Sequence, residues 1–194
     1  MSVGPAVIVT VPGLRGHVED HWQTRLAASR PGVVAVPPLG RTNPSLSERI
    51  AALEDAVRSA GGPVIIVAHS AGCLVTVHWA VRHDGSGGSV RGALFATPPD
   101  LAEELPEEYP SLAVLEERHW LPIPRRPLPF PSIVAASSND PLGDPARVRE
   151  LADAWGSRVH DLGPVGHLNP AFGYGDWPAA EQFLEELDTV EAPR

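Results

Sequence analysis

The chain has 194 residues, of which 43% are hydrophobic, and this predicts one compact domain over residues 1–194 with a sizeable core. Its formal net charge is −9 and its 15 Lys and Arg residues are all scattered arginines, so no nucleic-acid partner is expected. The single cysteine, Cys73, excludes an intramolecular disulfide and a cysteine-based zinc site. No apolar run reaches the roughly 20 residues of a membrane span and no secretory signal pattern is present, so we expect a cytoplasmic protein.

Six short apolar runs recur along the chain and predict β-strands. Most of them are rich in β-branched residues and do not alternate with polar residues, which is typical of parallel strands covered by helices on both faces. The sequence therefore predicts an α/β fold. The six runs are 6–11, 33–36, 63–68, 90–96, 131–136 and 158–162.

Helix signals occupy the segments between these runs. In residues 43–62, a capping-box pattern at Ser45 and Glu48 begins an amphipathic helix that Gly61 ends. Another helix is predicted to begin with Asp144 as N-cap and Pro145 in the first turn, and a last one covers 177–190. Residues 97–130 differ, because they are rich in proline and acidic residues and carry a helical pattern only at about 110–118. They predict an irregular excursion with a solvated acidic face.

The most informative segment is a buried strand that runs into Ala68-His69-Ser70-Ala71-Gly72 and then into an apolar helix. In a nucleophile elbow the serine occupies a strained turn, so the residues two before and two after it must be small. Ala68 and Gly72 meet this requirement, although the first position is usually glycine. Ser70 is therefore the candidate nucleophile, and the alternative is an ordinary strand-to-helix turn with a serine cap.

Two backbone N–H groups are candidates for an oxyanion hole. Ala71 begins the helix after Ser70, where N–H groups have no intrahelical acceptor and can bind an anion. The glycine-rich loop 12–16 follows the first strand, and its Leu14 N–H is the candidate second donor. Without the serine motif, the same loop would be interpreted as a turn before the helix that contains Trp22.

A serine nucleophile needs a base and a group that orients the base. In enzymes with a serine elbow of this kind, the acid and then the histidine follow the serine along the chain, each of them after a later strand. Asp140 follows the fifth run in a polar turn, and His167 follows the sixth run in a flexible loop. Asp144 is the rival acid, but its position before Pro145 is typical of a helix cap.

Other histidines compete with His167. His69 adjoins Ser70, but on a sharp elbow its side chain should point away from the hydroxyl, which favours packing or a pocket wall. His17 and His21 are four residues apart and could form a metal pair. They do not reproduce the H-E-x-x-H pattern, so no metal site is predicted.

Several short motifs occur in a fixed order along most of the chain. They are Pro12-Gly13, His21-Trp22-Gln23, His69-Ser70, Ser137-Ser138-Asn139-Asp140-Pro141, Ala154-Trp155-Gly156, Gly166-His167-Leu168-Asn169 and Gly173-Tyr174-Gly175-Asp176-Trp177-Pro178. Together they resemble the small α/β-hydrolases similar to retinoblastoma-binding protein 9 and its bacterial relatives. Several motifs in one order are more specific than any single motif.

This resemblance implies a minimal α/β-hydrolase fold, with six parallel strands in the order 2-1-3-4-5-6, helices on both faces and no large cap domain. It also implies a triad of Ser70, Asp140 and His167 and no cofactor. The chain departs from the family pattern at His17 and at residues 170–172. Substrate choice is therefore not carried over.

The predicted function is that of a serine hydrolase that cleaves a small ester, or an amide or thioester, through an acyl-enzyme on Ser70. The excursion 97–130 leaves the sheet after the fourth strand, so Trp120 and Phe130, with His69, are expected to border a narrow pocket. One alternative is an acyltransferase with the same triad. The other is a non-catalytic protein-binding module, because a fold does not establish a function. The expected partner is a small-molecule substrate, and no protein partner is identified.

Overall fold

The computed structural model describes residues 5–16, 18–40, 42–83 and 90–189. Its core is a six-stranded parallel sheet with the strand order β2-β1-β3-β4-β5-β6, which confirms the predicted α/β-hydrolase fold. The strands are β1 (Val7–Val11), β2 (Val34–Ala35), β3 (Val64–His69), β4 (Val90–Ala96), β5 (Ser132–Ala136) and β6 (Arg158–Asp161). The helices are α1 (Trp22–Ser29), α2 (Leu46–Ser59), α3 (Ala71–Arg82), α4 (Leu112–Glu117), α5 (Pro145–Trp155) and α6 (Ala179–Thr189).

Helices cover both faces of the sheet because alternate strand residues point to opposite sides. In β3, Ile66 belongs to the apolar cluster that includes residues of α2, α3 and α5, whereas Ile65 belongs to the cluster formed with α1 and α6. Every residue of β3 is buried, which explains why its sequence is apolar without alternation. Ser45 caps α2 by accepting the N–H of Glu48, as the capping-box pattern predicts.

The segment between β4 and β5 is the predicted excursion. It contains α4, a helix of six residues, and otherwise runs as turns and extended chain against the α3 side of the molecule. Trp120 fixes it to the core, since its side chain is buried and its indole N–H donates to the carbonyl of Pro44 at 2.7 Å. No large cap domain is present between β4 and β5. In the described ranges, every helix is too short or too polar to cross a membrane.

The winding direction of the sheet reverses between β1 and β3. The chain moves from β1 outward to the edge strand β2, returns to β3 on the other side of β1, and then continues through β4, β5 and β6. In open parallel sheets, the carboxyl ends of the strands at such a reversal border a crevice that binds ligands. The loops after β1 and β3 both lie at this crevice.

Candidate functional site

Ser70 lies on a sharp turn between the end of β3 and the start of α3. Its backbone angles are φ 55° and ψ −129°, a region that L-residues rarely adopt, and its N–H donates to the carbonyl of Ala96 at 3.0 Å. Gly72 allows this turn to approach β1, because a Cβ atom there would lie 2.4 Å from the carbonyl oxygen of Val11. The steric requirement inferred from the sequence therefore has a specific origin in the carbonyl groups of the first strand.

Ser70, His167 and Asp140 form a continuous hydrogen-bonded chain. The Nε2 atom of His167 lies 2.8 Å from the Ser70 Oγ, and its Nδ1 lies 2.9 Å from each carboxylate oxygen of Asp140. The side chains of His167 and Asp140 are 4% and 3% exposed, so water does not separate or screen the pair. The structure thus brings together three residues that stand far apart in the sequence.

Asp144 lies at the N-terminus of α5 and not beside the histidine. Its carboxylate accepts the backbone N–H groups of Ala146 and Arg147 at 3.0 and 3.1 Å, which is the geometry of a helix N-cap. Asp140, in contrast, uses one carboxylate oxygen to accept the N–H of Leu142 at 2.9 Å as well as to contact His167. That backbone bond holds the Asp140 carboxylate toward the imidazole.

The loop that carries His167 is held by groups from other loops and strands. His69 Nε2 lies 2.9 Å from the His167 carbonyl oxygen, and Asn139 accepts the N–H of Gly166 at 2.6 Å. Burial lowers the pKa of His69 well below its usual value, with further contributions from His167 and His21. The neutral His69 ring therefore donates from Nε2 to the His167 carbonyl and adds no positive charge beside His167.

The two candidate oxyanion donors lie on two segments next to Ser70, the loop after β1 and the start of α3. Leu14 follows Gly13. A Cβ atom at Gly13 would lie 3.0 Å from the Ser70 Cβ and 3.3 Å from its Oγ, so a side chain there would crowd the nucleophile. Ala71 is the first residue of α3. No hydrogen bond joins the backbone N–H of Leu14 or of Ala71 to another residue in the described part of the chain.

Gln23 links the two strand ends on which these groups stand. Its buried side-chain amide donates to the carbonyl of Val11 at 3.1 Å and to the carbonyl of Val67 at 2.9 Å. Because Val11 ends β1 and Val67 lies near the end of β3, the amide fixes the distance between the glycine-rich loop and the elbow. The His21-Trp22-Gln23 motif marked this residue in the sequence, but not its role.

Among the described residues, two cavities open onto Ser70. The larger has a volume of about 120 Å³ and includes His69, His167, Arg15 and Asn169 among its walls. The smaller has a volume of about 20 Å³ and includes Trp120. Leu14, Ser70 and Tyr109 line both cavities, and sequence analysis missed Tyr109 because it lies in an irregular segment without periodicity.

Phe130 does not border either cavity, which corrects the sequence-based expectation. It lies two residues before β5, at the amino end of the sheet, whereas both cavities lie at the carboxyl ends of β1 and β3. Its ring stacks on Trp79 with a centroid distance of 6.5 Å and belongs to the core. Of the two aromatic residues predicted to border the pocket, only Trp120 does so.

His17 and His21 are the histidines considered in the sequence as a possible metal pair. His17 lies outside the described residues, and His21 packs with its ring centroid 4.5 Å from that of His69. Within the described ranges there is no cluster of three or more His, Cys, Asp or Glu side chains placed to hold a metal ion.

Comparison with known sequences identifies the family. The chain matches the family described as serine hydrolase over residues 8–186, which include the complete hydrogen-bonded chain around Ser70. It belongs to the serine hydrolase family. No curated protein shows a significant match to the sequence of this serine hydrolase.

Solved structures of α/β-hydrolases share the fold of this family member. A YdeN-like hydrolase from Pectobacterium atrosepticum is 26% identical with a TM-score of 0.81, and the match covers 97% of this chain and 94% of that one. The ydeN gene product of Bacillus subtilis is 16% identical with a TM-score of 0.63, covering 95% of this chain and 100% of that one. A monoacylglycerol lipase from Paleococcus ferrophilus is 15% identical with a TM-score of 0.64, covering 97% and 99%. The narrower resemblance to retinoblastoma-binding protein 9 stays a prediction.

Proposed function

We propose that this serine hydrolase is a carboxylesterase that cleaves a small ester through an acyl-enzyme on Ser70. The observation that carries the proposal is the hydrogen-bonded chain from Asp140 through His167 to the Ser70 hydroxyl, with no distance longer than 2.9 Å. A carboxylate can only accept, so Nδ1 of His167 carries the proton and Nε2 accepts from Ser70. This tautomer is the one that general-base catalysis requires.

In the first half of the reaction, the Ser70 Oγ attacks the ester carbonyl carbon while His167 Nε2 takes the hydroxyl proton. The carbonyl oxygen becomes an oxyanion, which accepts hydrogen bonds from the N–H groups of Leu14 and Ala71. One such donor is worth about 3 kcal/mol of transition-state stabilisation. The intermediate then expels the alkoxide, which takes the proton from His167 Nε2 and leaves as an alcohol.

In the second half, water replaces the alcohol. His167 Nε2 takes a proton from the water as its oxygen attacks the acyl carbon, and the released Ser70 oxygen recovers that proton. Asp140 stabilises the imidazolium that forms in both halves. An ester is favoured over an amide because an alkoxide leaves with less help from a proton than an amine does, and a thioester would follow the same steps.

The test compares variants with a fluorophosphonate probe and a short-chain aryl ester. Ser70→Ala is expected to abolish labelling and hydrolysis, and His167→Ala to be comparably inactive because triad members act as a unit. Ser132→Ala is the matched control, since Ser132 is equally buried but lies at the amino end of β5, bonded to Ser157. Hydrolysis retained by a folded Ser70→Ala variant would exclude the proposal.

A further inference from the structure

The two cavities at Ser70 differ in volume, charge and position relative to His167. The larger cavity is lined by the His167 side of the site, by the loop after β1 and by residues 169–171. The smaller one lies on the α3 side and includes Ala71 and Leu74 of that helix. Of the described residues, the two cavities share Leu14, Ser70 and Tyr109. An ester bound with its carbonyl carbon at Ser70 would therefore place its two halves in different surroundings.

The direction of proton transfer decides which half occupies which cavity. If His167 is the general acid, its Nε2 atom must reach the oxygen of the departing alcohol. The alcohol must then lie on the side of Ser70 that His167 borders, which is the side of the larger cavity. His167 does not border the smaller cavity, which leaves that cavity for the acyl group.

The volume of the smaller cavity limits the length of the acyl group. A volume of about 20 Å³ is little more than the roughly 10–15 Å³ that one water molecule needs on the same measure. This is room for a methyl group beyond the carbonyl, but not for an alkyl chain. The larger cavity, at about 120 Å³, has space for an alcohol several times that size.

The walls of the smaller cavity are held in place by packing. Leu115 and Trp120 are each 1% exposed, and the Trp120 indole is bonded to the Pro44 carbonyl. Leu74 is fully buried in α3. Moving these walls outward would break core contacts that a few additional methylene groups of a substrate would not replace. Leu105 is the partly exposed side chain through which the cavity could be enlarged at least cost to the core.

Among the described residues, none with a charged side chain lines the smaller cavity. Each of its lining residues is aliphatic, aromatic, proline or Ser70, so no described side chain there could pair with an ammonium or carboxylate on the acyl group. Burying an unpaired charge in an apolar cavity is strongly unfavourable. Aminoacyl and dicarboxylic acyl groups are therefore excluded, and Arg15 provides a charged group only at the larger cavity.

We infer that the substrate is an acetyl ester of a larger alcohol, with the acetyl methyl in the smaller cavity and the alcohol in the larger one. This inference rests on the proposed function, because it uses Ser70 as nucleophile and His167 as general acid. Hydrolysis then releases acetate and the free alcohol, and each turnover consumes one water molecule. The enzyme would act as a deacetylase of hydroxyl groups.

A pair of isomeric substrates tests the assignment directly. Hexyl acetate and ethyl hexanoate have the same composition and both release a primary alcohol, but the long chain lies on opposite sides of the carbonyl. We expect kcat/KM to be at least tenfold higher for hexyl acetate, because a buried methylene contributes about fourfold in rate only where space exists for it. Equal rates, or a preference for ethyl hexanoate, would overturn the inference.

A matched pair of variants tests the cavity wall. Leu105→Ala enlarges the smaller cavity and is expected to raise the ratio of ethyl hexanoate to hexyl acetate hydrolysis by about tenfold. Leu112→Ala removes another partly buried leucine of the same segment that lines neither cavity, and it should leave the ratio unchanged. An unchanged ratio in folded Leu105→Ala would contradict the acyl site.

Fluorophosphonate labelling in the same preparations separates the two proposals. If Ser70 is labelled but the isomer preference is absent or reversed, the acetyl inference fails and the esterase proposal remains. If Ser70 is not labelled and neither ester is cleaved, the proposed function fails and the inference fails with it.

Discussion

Replacing Asp140, whose carboxylate contacts His167, is the most informative test, because the same Asp-to-Asn substitution can be made at Asp144 as a control. Asp140→Asn keeps the size of the side chain but replaces one carboxylate oxygen with an amide NH₂ group. Both carboxylate oxygens lie 2.9 Å from His167 Nδ1, and Leu142 N–H occupies one of them. The NH₂ group therefore faces the imidazole, where it can only donate. His167 Nδ1 must accept, and the proton moves to Nε2, which can no longer take the Ser70 proton.

The corresponding change in serine proteases lowers kcat by about 10⁴-fold, and we expect a loss of the same order here. This corresponds to about 5 kcal/mol of transition-state stabilisation, since each tenfold change in rate is about 1.4 kcal/mol. Because the Asp140 side chain is only 3% exposed, solvent cannot replace the lost interaction.

Asp144→Asn makes the same chemical change four residues away. Asparagine caps a helix as well as aspartate does, so both activity and stability should stay close to those of the native protein. Asp144→Ala should lower the free energy of unfolding by about 1 kcal/mol and Tm by about 2–4 °C without changing kcat of the folded enzyme. Initial rates with an aryl ester and thermal melts measure both quantities. A large loss of kcat in Asp144→Asn but not in Asp140→Asn would refute the assignment of the acid.

Three further predictions concern the elbow and the buried histidines. Gly72→Ala should lower the free energy of unfolding by about 1–3 kcal/mol and remove most activity, because the added Cβ meets the Val11 carbonyl. Gly62→Ala, with open space around the added Cβ, should change neither quantity. Equal urea midpoints for the two variants would contradict this prediction. Ser70→Gly should melt about 2–4 °C higher than Ser70→Ala, because glycine adopts the positive φ of this position without strain. Identical Tm values for the two variants would show that the turn stores no strain. Burial lowers the pKa of His69 and of His78, so below about pH 6.5 the unfolded chain binds protons that the native state does not. The free energy of unfolding should therefore fall between pH 7 and pH 5, by up to about 1.4 kcal/mol per pH unit from His69 and by less from His78. A flat urea-unfolding profile in this range would be inconsistent with a neutral buried His69 ring.

The strands and most of the candidate site could be predicted from the sequence because each depends on a local pattern. The fully buried strands give continuous apolar runs, and the residues after β3, β5 and β6 are necessarily at one end of a parallel sheet. That rule alone places Ser70, Asp140 and His167 at the same edge. The capping pattern before Pro145 predicts Asp144 as the N-cap of α5, which the hydrogen bonds of its carboxylate confirm.

The pocket walls could not be predicted in the same way. The segment between β4 and β5 has no sustained periodicity, so nothing in the sequence indicates that Tyr109 and Leu105 reach the cavities. Phe130 was wrongly expected at the pocket because the whole segment was treated as a rim. Its last residues return to the amino end of β5, where Phe130 packs on Trp79. Cavity volumes depend on such contacts and not on local patterns.

The central claim is that Ser70 is the nucleophile, and mapping of a covalent adduct tests it most directly. The native protein is treated with diisopropyl fluorophosphate until ester hydrolysis ceases, digested with a protease, and analysed by mass spectrometry. We predict one phosphoryl adduct per chain, on the peptide that contains Ser70, with the loss of activity proportional to the extent of modification. An adduct on a different residue, or complete loss of activity without modification of Ser70, would contradict the account.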